Sequence, residues 1–444
     1  MKRIILFLSC LTVALTTVSC DKYLDIEPQG KIIPKTVEDF RKVLTAAYAG
    51  YPEHKSLSNF RTDELILDPE KSAAIELKDV YIYQDANPSK DSREFAYDQF
   101  YKVIYYANET INNGASTMEE GNDKKQILGE AHALRAMAYF DLANLFAKPY
   151  DKATAATQPC IVIQNELDIE NKRAKSTMAE VYAQIHSDID NAKGYLQVSS
   201  YDIGKNYRYT KAAIAALEAR VYLYQKDYEN ALKSVEQTLT LKNQLQDLKK
   251  SIGSTTAYSV ADFRSVESIL ALEQSMRPGD NGATTVSKEL LAAYDKEQDL
   301  RFTVFFIKKG NTYVNNKTAT GNAKASFRTA DMYLIKAEIL ANLNRINDAK
   351  ETVGKLIDNR YTEVGANQLK QKIANYTQQE TINFILDERF REFAFEGHRW
   401  FDLRRTTQKE IVHDFSGTKY ILRQNDPRYT LPFPITARKN NPNL

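Results

Sequence analysis

The sequence predicts a mostly α-helical protein, and three observations favour that class. Apolar residues recur at helical spacing over most of the chain from residue 37 onwards. Two stretches repeat one helix–turn–helix pattern, and glycine, serine, threonine and asparagine concentrate in one segment, at about 251–329. A chain of 444 residues is long enough to bury a large core. We therefore expect a helical body interrupted by an irregular, loop-rich insertion.

The first nineteen residues predict a secretory signal peptide. Lys2 and Arg3 precede an apolar run that is too short to span a bilayer, and small residues follow before Cys20. This ending is similar to a bacterial lipobox, in which the cysteine is acylated and becomes the mature N-terminus. The alternative is an ordinary signal peptide cleaved nearby. We expect residues 1–19 to be removed, Cys20 to carry the lipid anchor and residues 20–36 to form a tether.

Helical patterns begin directly after the tether. Residues 37–51, 95–111 and 124–147 each place apolar side chains at helical spacing. Thr36 and Asp39 resemble a capping box with aspartate in place of glutamate. These helices belong to an N-terminal part at about 37–250 of a domain that we assign to residues 37–444.

Two later stretches predict pairs of antiparallel helices. In the first pair residues 211–224 precede residues 227–241, and in the second residues 331–343 precede residues 347–358. Small residues near each turn allow the helices to approach closely, as in tetratricopeptide-type pairs. The pairs are separated in sequence, so we expect tetratricopeptide-like units inside a larger fold. The alanines that bracket the turns are Ala219 and Ala231 in the first pair, and Ala337 and Ala349 in the second.

The insertion between the pairs, at about 251–329, predicts loops with little regular structure. A short helical pattern lies near residues 286–296. Residues 302–307 are apolar, β-branched or aromatic and precede Gly310-Asn311, which favours a hairpin. The C-terminal part begins at about residue 330, and four prolines in residues 425–444 predict an extended tail.

Charge and cysteine usage exclude some classes of protein. The formal net charge of +2 falls to zero when Lys2 and Arg3 leave with the signal. No run of basic residues offers an electrostatic footprint for nucleic acid, so we expect no nucleic-acid partner. Cys160 is the one thiol that remains besides Cys10 and Cys20, so no internal disulfide is expected.

Motifs of catalysis are not apparent in the sequence. The five histidines include no i,i+4 pair and no HExxH motif, and the chain has no GxSxG, P-loop or GxGxxG pattern. Cys160 lacks a local partner and favours a packed thiol. His132, on an alanine-rich helix, favours a core histidine. We therefore predict no enzyme activity, no cofactor and no metal site, although a surface enzyme stays an alternative.

The densest motif is ILDERFREFAFEGHRWFDLRR at residues 385–405. Its helical spacing buries an aromatic face, Asp387 and Arg391 stand at i,i+4, and Gly397 suits a helix C-cap. Three glutamates would repel one another unless arginines meet them. We favour a buried ion network over a substrate site made of the same residues. The glutamates are Glu388, Glu392 and Glu396, and the candidate arginines are Arg389, Arg399, Arg404 and Arg405.

These segments resemble a known family. LDERFREFAFEGHRWFDLRR resembles the C-terminal signature of the SusD/RagB proteins, and further segments match that family in the same order along the chain. The resemblance implies an all-α, SusD-like fold. It also implies a surface-exposed, lipid-anchored outer-membrane protein that caps a SusC-like TonB-dependent transporter. The further segments are CDKYLDIEPQG, FYKVIYYANETI, GEAHALRAMAYFDLANLFAKPY, YDKEQDLRF and DPRYTLPFPITARKNNPNL.

The resemblance also implies a ligand and its loops. Glycans are the usual cargo of the family and some members take oligopeptides, while a purely structural lipoprotein is a further alternative. The sole tryptophan, Trp400, lies in the signature, which argues against a sugar platform built on tryptophan. For each tyrosine among the candidates, a surface or core role is the alternative. The candidate ligand residues are Tyr81, Tyr83, Asp85, Asn87, Arg277, Asp280, Asn281, Tyr294 and Tyr313.

Overall fold

The structure is a computed structural model that describes residues 33–168, 170–254 and 256–444. Within these residues helices dominate, and the strands are short and pair two by two. The predicted class, mostly all-α, is therefore confirmed. The predicted signal peptide and Cys20 lie outside the described residues. No helix in the described part of the chain has the length and apolar character needed to cross a bilayer.

The N-terminal half of the described chain is built from long helices joined by short ones. The Thr36–Asp39 capping box is confirmed, since the Thr36 hydroxyl accepts from the backbone N–H of Asp39 at 3.2 Å. The helices are α1 (Val37–Ala49), α2 (His54–Asn59), α3 (Ala74–Tyr81), α4 (Tyr97–Asn112), α5 (Gly114–Thr117), α6 (Asn122–Phe146), α7 (Met178–Tyr195), α8 (Lys211–Gln225), α9 (Tyr228–Leu241) and α10 (Leu248–Ser251).

The second half carries three short helices in the insertion and then a helical C-terminal body. A single 3₁₀ turn, Pro427–Tyr429, precedes the last helix. The helices are α11 (Pro278–Asn281), α12 (Lys288–Ala292), α13 (Leu300–Phe305), α14 (Thr329–Asn342), α15 (Ile346–Arg360), α16 (Glu363–Ala374), α17 (Gln378–Glu392), α18 (Arg399–Arg405) and α19 (Ile435–Asn440).

Both predicted helix pairs are confirmed, as α8–α9 and α14–α15. All four bracketing alanines are fully buried, as close packing of the pairs requires. At each turn a non-glycine residue adopts a left-handed conformation, Lys226 with φ of 59° and Asn344 with φ of 60°. Helix α9 packs against α14, so the two pairs adjoin in space although they are separated in sequence.

The described residues form four two-stranded antiparallel sheets, and one of them, between residues 65–67 and residues 284–286, ties the insertion to the helical body. Two of them join distant parts of the chain: β1 pairs with β3 in the register Leu65 to Val286, and β2 pairs with β6. The other two, β4–β5 and β7–β8, are local hairpins. The strands are β1 (Leu65–Leu67), β2 (Ser268–Leu270), β3 (Thr284–Val286), β4 (Phe306–Lys309), β5 (Thr312–Asn315), β6 (Phe327–Arg328), β7 (Ile411–Phe415) and β8 (Thr418–Leu422).

Two sequence predictions about local structure are wrong in part. A hairpin does form around Gly310, but residues 302–305 belong to α13, because the Asp299 side chain caps that helix by accepting from Arg301 N–H at 3.0 Å. The tail predicted as extended contains α19, which begins directly after Pro434, where a proline suits the start of a helix.

The ion network of the C-terminal signature is buried, as predicted, but its partners differ. The Glu392 carboxylate accepts from Arg328 at 2.7 Å, Arg360 at 2.9 Å and Arg301 at 3.0 Å. These arginines come from β6, α15 and α13. Burial opposes ionisation of Glu392, but the three guanidinium groups outweigh it and hold its pKa well below the usual range. The network therefore joins three segments of the body to α17.

The other glutamates and arginines of the signature also have partners that differ from the predicted ones. Glu388 pairs with Arg301 and Arg391, so the predicted Asp387–Arg391 pair is wrong and the i,i+3 pair forms instead. Glu396 pairs with Arg328 and Lys317. The four arginines expected to meet the glutamates bind other groups: Arg389 binds Asp331 and Asp402, Arg399 binds Asp63, Arg404 binds backbone carbonyls, and Arg405 binds Asp402 and Glu338.

Gly397 is not the C-cap of α17. The helix ends at Glu392, with Phe393 as its C-cap, and the chain then turns through Phe395 with φ of 61° and Gly397 with φ of 73°. A Cβ at residue 397 would lie 2.8 Å from the Cα of Lys55. Glycine is therefore required there both for its conformation and for the approach of α2.

Candidate functional site

A groove of about 1010 Å³ lies between the loop after α3 and the segment that leads into α19. Its volume is at the upper end of the range typical of small-molecule sites. We name it the Tyr83 groove. It is lined by Tyr83, Gln84, Asp85, Ala86, Asn87, Phe146, Lys148, Pro149, Gln408, Asn425, Asp426, Pro427, Arg428, Tyr429, Thr430, Leu431, Pro432 and Phe433.

One wall of the Tyr83 groove is a stack of aromatic and charged side chains. Two guanidinium nitrogens of Arg61 donate to the Asp85 carboxylate at 2.6 and 3.0 Å. The guanidinium carbon lies 4.5 Å from the ring centre of Trp400, which in turn stacks on Tyr429 at 4.9 Å and 13°. Trp400 is fully buried, so it supports the wall from behind and does not face the groove.

The loop that carries the predicted residues is held in one conformation. Tyr83 has φ of 61°, a left-handed value that a tyrosine adopts only where its surroundings fix it. Its hydroxyl donates to the backbone carbonyl of Arg61 at 3.3 Å, and its ring stacks on His413 at 5.1 Å. The Asp85 carboxylate and the Asn87 backbone are therefore presented by a fixed loop.

The charges that line the groove balance. Asp85 and Asp426 supply two carboxylates, and Lys148 and Arg428 supply two cations. The Arg428 guanidinium donates to Asp426 at 2.9 and 2.7 Å and lowers the pKa of that carboxyl to about 2. Balanced ionic groups beside amides suit the hydroxyls of a neutral polar ligand better than a strongly charged one.

Further polar groups on the rim are exposed and free to turn towards a ligand. Gln84, Asn87 and Lys148 are all exposed, and the Gln84 amide donates to the Asn87 carbonyl at 3.1 Å. The amide groups of Gln84 and Asn87 both donate to and accept from hydroxyl groups, and the Lys148 ammonium group donates to them. These rim side chains can therefore form hydrogen bonds with a ligand while the contacts of the wall behind them stay intact.

The structure brings three of the nine sequence-predicted residues together in this groove: Tyr83, Asp85 and Asn87. The ring of Tyr81 is only 1% exposed and stacks on His413 at 4.0 Å and 6°. Tyr294 is also buried, and its hydroxyl donates to the Arg391 carbonyl at 2.6 Å. Both rings are covered in this structure, as expected of tyrosines with a core role.

The remaining predicted residues lie in the insertion, apart from the groove, and have partners there. Asp280 is buried and accepts from Arg93 at 2.7 Å. Arg277 is exposed and pairs with Glu53. The other two contacts are between Asn281 and Asn315 at 2.8 Å, and between the rings of Tyr313 and Phe302 at 5.3 Å.

A second concave surface, of about 920 Å³, lies beside α4. We name it the Tyr105 cleft, because the ring of Tyr105 is 40% exposed there. Tyr97, Tyr101 and Tyr105 stand at i,i+4 spacing, which indicates one face of α4 and is the sequence signal for this surface. Its lining carries more carboxylates than cations. The lining includes Tyr97, Tyr101 and Tyr105 on α4, the acids Glu94, Asp98, Glu166, Asp168 and Glu170, the cations Lys172 and Arg173, and residues of the C-terminal tail.

The structure thus combines a helical body with an open groove lined by balanced polar groups. Two family models match the chain: one described as "Starch-binding associating with outer membrane" over residues 22–223, and one described as "SusD family" over residues 164–444. The second covers more than half of the chain. The protein belongs to the SusD family.

Relatives and solved structures agree with this assignment. SusD-like protein P38 of Formosa agariphila is 24% identical over 90% of each chain. A SusD superfamily protein from Bacteroides thetaiotaomicron superposes with a TM-score of 0.75 at 20% identity, over 92% of this chain and 98% of that one. A protein described as a laminarin-binding SusD-like protein gives a TM-score of 0.65 at 18% identity, over 92% and 98%. At these identities the solved structures show the fold.

Proposed function

We propose that this protein binds a neutral glycan oligomer in the Tyr83 groove and passes it to a SusC-like TonB-dependent transporter without chemical turnover. The balanced charge of the groove carries the proposal, because neutral hydroxyl-rich ligands need paired donors and acceptors rather than a net field. Membership of the SusD family supports it, as do a family described as starch-binding and a structural neighbour described as laminarin-binding.

The position of the protein in the cell is part of the same proposal. Acyl chains on Cys20, followed by the tether of residues 20–36, would hold the domain on the outer surface of the outer membrane. The family description, which refers to association with the outer membrane, supports this placement. Cys20→Ala should release the protein from membranes, and acylation that persists in this variant would contradict the anchor.

The transporter partner has its own test. Affinity purification of the tagged protein from detergent-solubilised outer membranes should recover a TonB-dependent barrel in stoichiometric amount. Recovery of the protein alone would favour the structural alternative, in which the helix pairs only anchor an assembly. Products released from a bound oligomer by the pure protein would revive the alternative of a surface enzyme.

Oligopeptide cargo remains the second candidate, and one observation favours it. The sole tryptophan is fully buried behind the groove wall, so no tryptophan face is available for a sugar ring. Extended peptides need backbone partners and small polar pockets instead, which the amides of the groove could supply. A glycan would have to rely on hydrogen bonds, because the two tyrosines of the groove, Tyr83 and Tyr429, are only 2% and 1% exposed.

Calorimetric titration of the mature protein with laminarin, soluble starch and a panel of oligopeptides separates the two cargoes. A net hydrogen bond contributes about 1 kcal/mol, so Asn87→Ala and Lys148→Ala should each weaken binding by about fivefold. Tyr105→Ala is the matched control, since it alters the other concave surface. Loss of binding in Tyr105→Ala alone would move the site to the Tyr105 cleft, and saturable binding of peptides alone would overturn the glycan proposal.

A further inference from the structure

Three side chains that can bind a metal ion meet in the interior, away from both concave surfaces. His54 begins α2, Asp141 lies on α6, and Glu273 follows β2 in the insertion. One ligand atom from each lies within 4.8 Å of the others. The Nε2 atom of His54 is 3.4 Å from Oε1 of Glu273 and 3.7 Å from Oδ2 of Asp141.

The orientation of the His54 ring leaves its inner nitrogen facing two carboxylate oxygens. On the opposite side of the ring, Nδ1 lies 3.3 Å from the carbonyl oxygen of Pro52, which can only accept a hydrogen bond. In the neutral ring Nδ1 therefore carries the proton, and Nε2 presents a lone pair. A lone pair that faces two anionic oxygens is repulsive unless a cation or a proton lies between them.

One of these oxygens has no partner in the structure. Oε1 of Glu273 is buried and receives no hydrogen bond, whereas Oε2 of the same carboxylate lies 3.2 Å from the Lys55 ammonium group. Leaving a buried charged oxygen unpaired is costly, and Lys55 favours the ionised carboxylate. Oε1 is thus an unsatisfied acceptor directed at His54.

The two distances from Nε2 of His54 are long for hydrogen bonds. A charge-assisted N–H···O bond draws its heavy atoms to about 2.7–2.9 Å, which is shorter than the 3.4 and 3.7 Å found here. Tetrahedral coordination with bonds of about 2.0–2.2 Å places neighbouring ligand atoms about 3.3–3.6 Å apart. The 3.4 Å separation of Nε2 from Oε1 falls in this range, the 3.7 Å separation of Nε2 from Oδ2 lies just beyond it, and all three atoms lie within 4.8 Å of one another, so a small divalent ion would draw them closer together.

We infer that His54 Nε2, Asp141 Oδ2 and Glu273 Oε1 form a buried binding site for a divalent transition metal of the Zn²⁺ type. One imidazole and two carboxylates are ligands that this ion accepts, and a water would complete four-coordination. The contact of Nδ1 with the Pro52 carbonyl orients the His54 ring. The Tyr51 hydroxyl donates to Oδ2 of Asp141 at 2.7 Å, so this oxygen would accept that hydrogen bond while it binds the ion.

The site would link three parts of the fold. Its ligands come from α2, from the long core helix α6 and from the insertion, which are distant in sequence. An ion bound by all three would hold the insertion against the helical body, as structural metal sites do when they contribute folding energy. This role is independent of the Tyr83 groove and of the proposed cargo.

The experiment uses the mature protein after treatment with a chelator. Titration with ZnCl₂ should show one equivalent bound per chain and a rise in melting temperature. Co²⁺ in its place should give the intense visible absorption of a four-coordinate site. Loss of a group that only orients a metal ligand weakens metal binding by about 10–100-fold. Glu273→Gln and His54→Gln remove a proposed ligand itself, so each should weaken Zn²⁺ binding by at least that factor.

The matched control is His186→Gln. His186 is half-buried, and its Nε2 lies 2.6 Å from Gln225 on another face of the protein. Unchanged Zn²⁺ stoichiometry and affinity in this variant support the proposal. Wild-type protein that binds no stoichiometric Zn²⁺ or Co²⁺ would overturn it, even if the cluster variants fail to fold. Zn²⁺ binding that Glu273→Gln leaves intact would also overturn it.

Discussion

The guanidinium Nη1 of Arg328 lies 2.7 Å from Oε1 of Glu392, and both side chains are buried. This contact joins β6 to the end of α17, and two further arginines share the same carboxylate. A buried ion pair contributes little by itself because desolvation opposes the attraction. Removing one partner, however, leaves uncompensated charge in the interior.

Glu392→Gln should therefore destabilise the protein strongly. It removes the negative charge that three buried guanidinium groups share, and a broken buried pair costs about 3–5 kcal/mol. Urea unfolding of the wild type and the variant measures the difference in free energy of unfolding. Glu351→Gln is the control, because its exposed i,i+4 pair with Lys355 is worth only about 0.3–0.5 kcal/mol. Equal losses in the two variants would contradict the network.

The stability of the protein should decline as the pH rises from about 4.5 to about 8, because of Glu64. Burial, aided by the neighbouring Asp63 carboxylate, raises the pKa of Glu64 to about 8. As a neutral acid it can donate to the Thr62 hydroxyl, 3.0 Å away, while it accepts from the Phe395 N–H at 3.1 Å. The raised folded pKa gives a contribution that is present below the unfolded pKa, near 4.5, and is lost up to about pH 8.

The variant Glu64→Gln tests the predicted direction of this pH dependence. The amide reproduces both hydrogen bonds and cannot ionise, so its stability should exceed that of the wild type above pH 8 and differ little near pH 5. Urea midpoints at a series of pH values give the comparison. A wild-type advantage that grows with pH would show that Glu64 is ionised in the folded protein.

Gly397→Ala should cost more stability than Gly417→Ala. Both glycines have positive φ, 73° and 79°, so each substitution carries a similar conformational penalty of about 1 kcal/mol. At Gly397 the new Cβ also meets the backbone of Lys55 within 2.9 Å, whereas at Gly417 it meets nothing within 4 Å. The difference in melting temperature between the two variants therefore measures the effect of the clash alone. Overpacking of this kind lowers the free energy of unfolding by about 1–3 kcal/mol. Equal shifts would mean that α2 moves away without cost.

Cys160 should be inert in the folded protein. Its side chain is buried, and burial raises the pKa of the thiol to about 12, so little thiolate exists at neutral pH. Iodoacetamide should label it only after unfolding in urea, as measured by mass spectrometry. Labelling at the same rate with and without urea would show that the surrounding core opens readily.

Local signals predicted the helix pairs well and the long-range contacts poorly. Ala219 and Ala231 indicate close packing from their own neighbourhood, and the pair formed as expected. The partners of Glu392 could not be predicted, because Arg301 and Arg328 reach it only through the folded insertion. The composition of residues 302–305 favours a strand, but the N-cap that Asp299 provides places these residues in α13.

The candidate site shows the same limit. Asp85 and Asn87 could be predicted as candidate ligand residues from the sequence. Asp426 and Arg428 could not, because they lie in the C-terminal tail and line the same groove only after folding. Tyr81 and Tyr83 are two residues apart, and both rings turn inward to stack on His413, which residue type alone does not reveal. His54 likewise acquires its two carboxylate neighbours from distant segments.

The stack of Arg61 on Trp400 and of Trp400 on Tyr429 has a practical consequence. A lone indole one layer beneath the Tyr83 groove is a built-in fluorophore whose emission responds to the cation above it and the phenol beside it. Cargo that draws Asp85 away from Arg61 would change this environment without touching the indole. If cargo binds in the groove as proposed, the emission of Trp400 would report its binding without an attached dye.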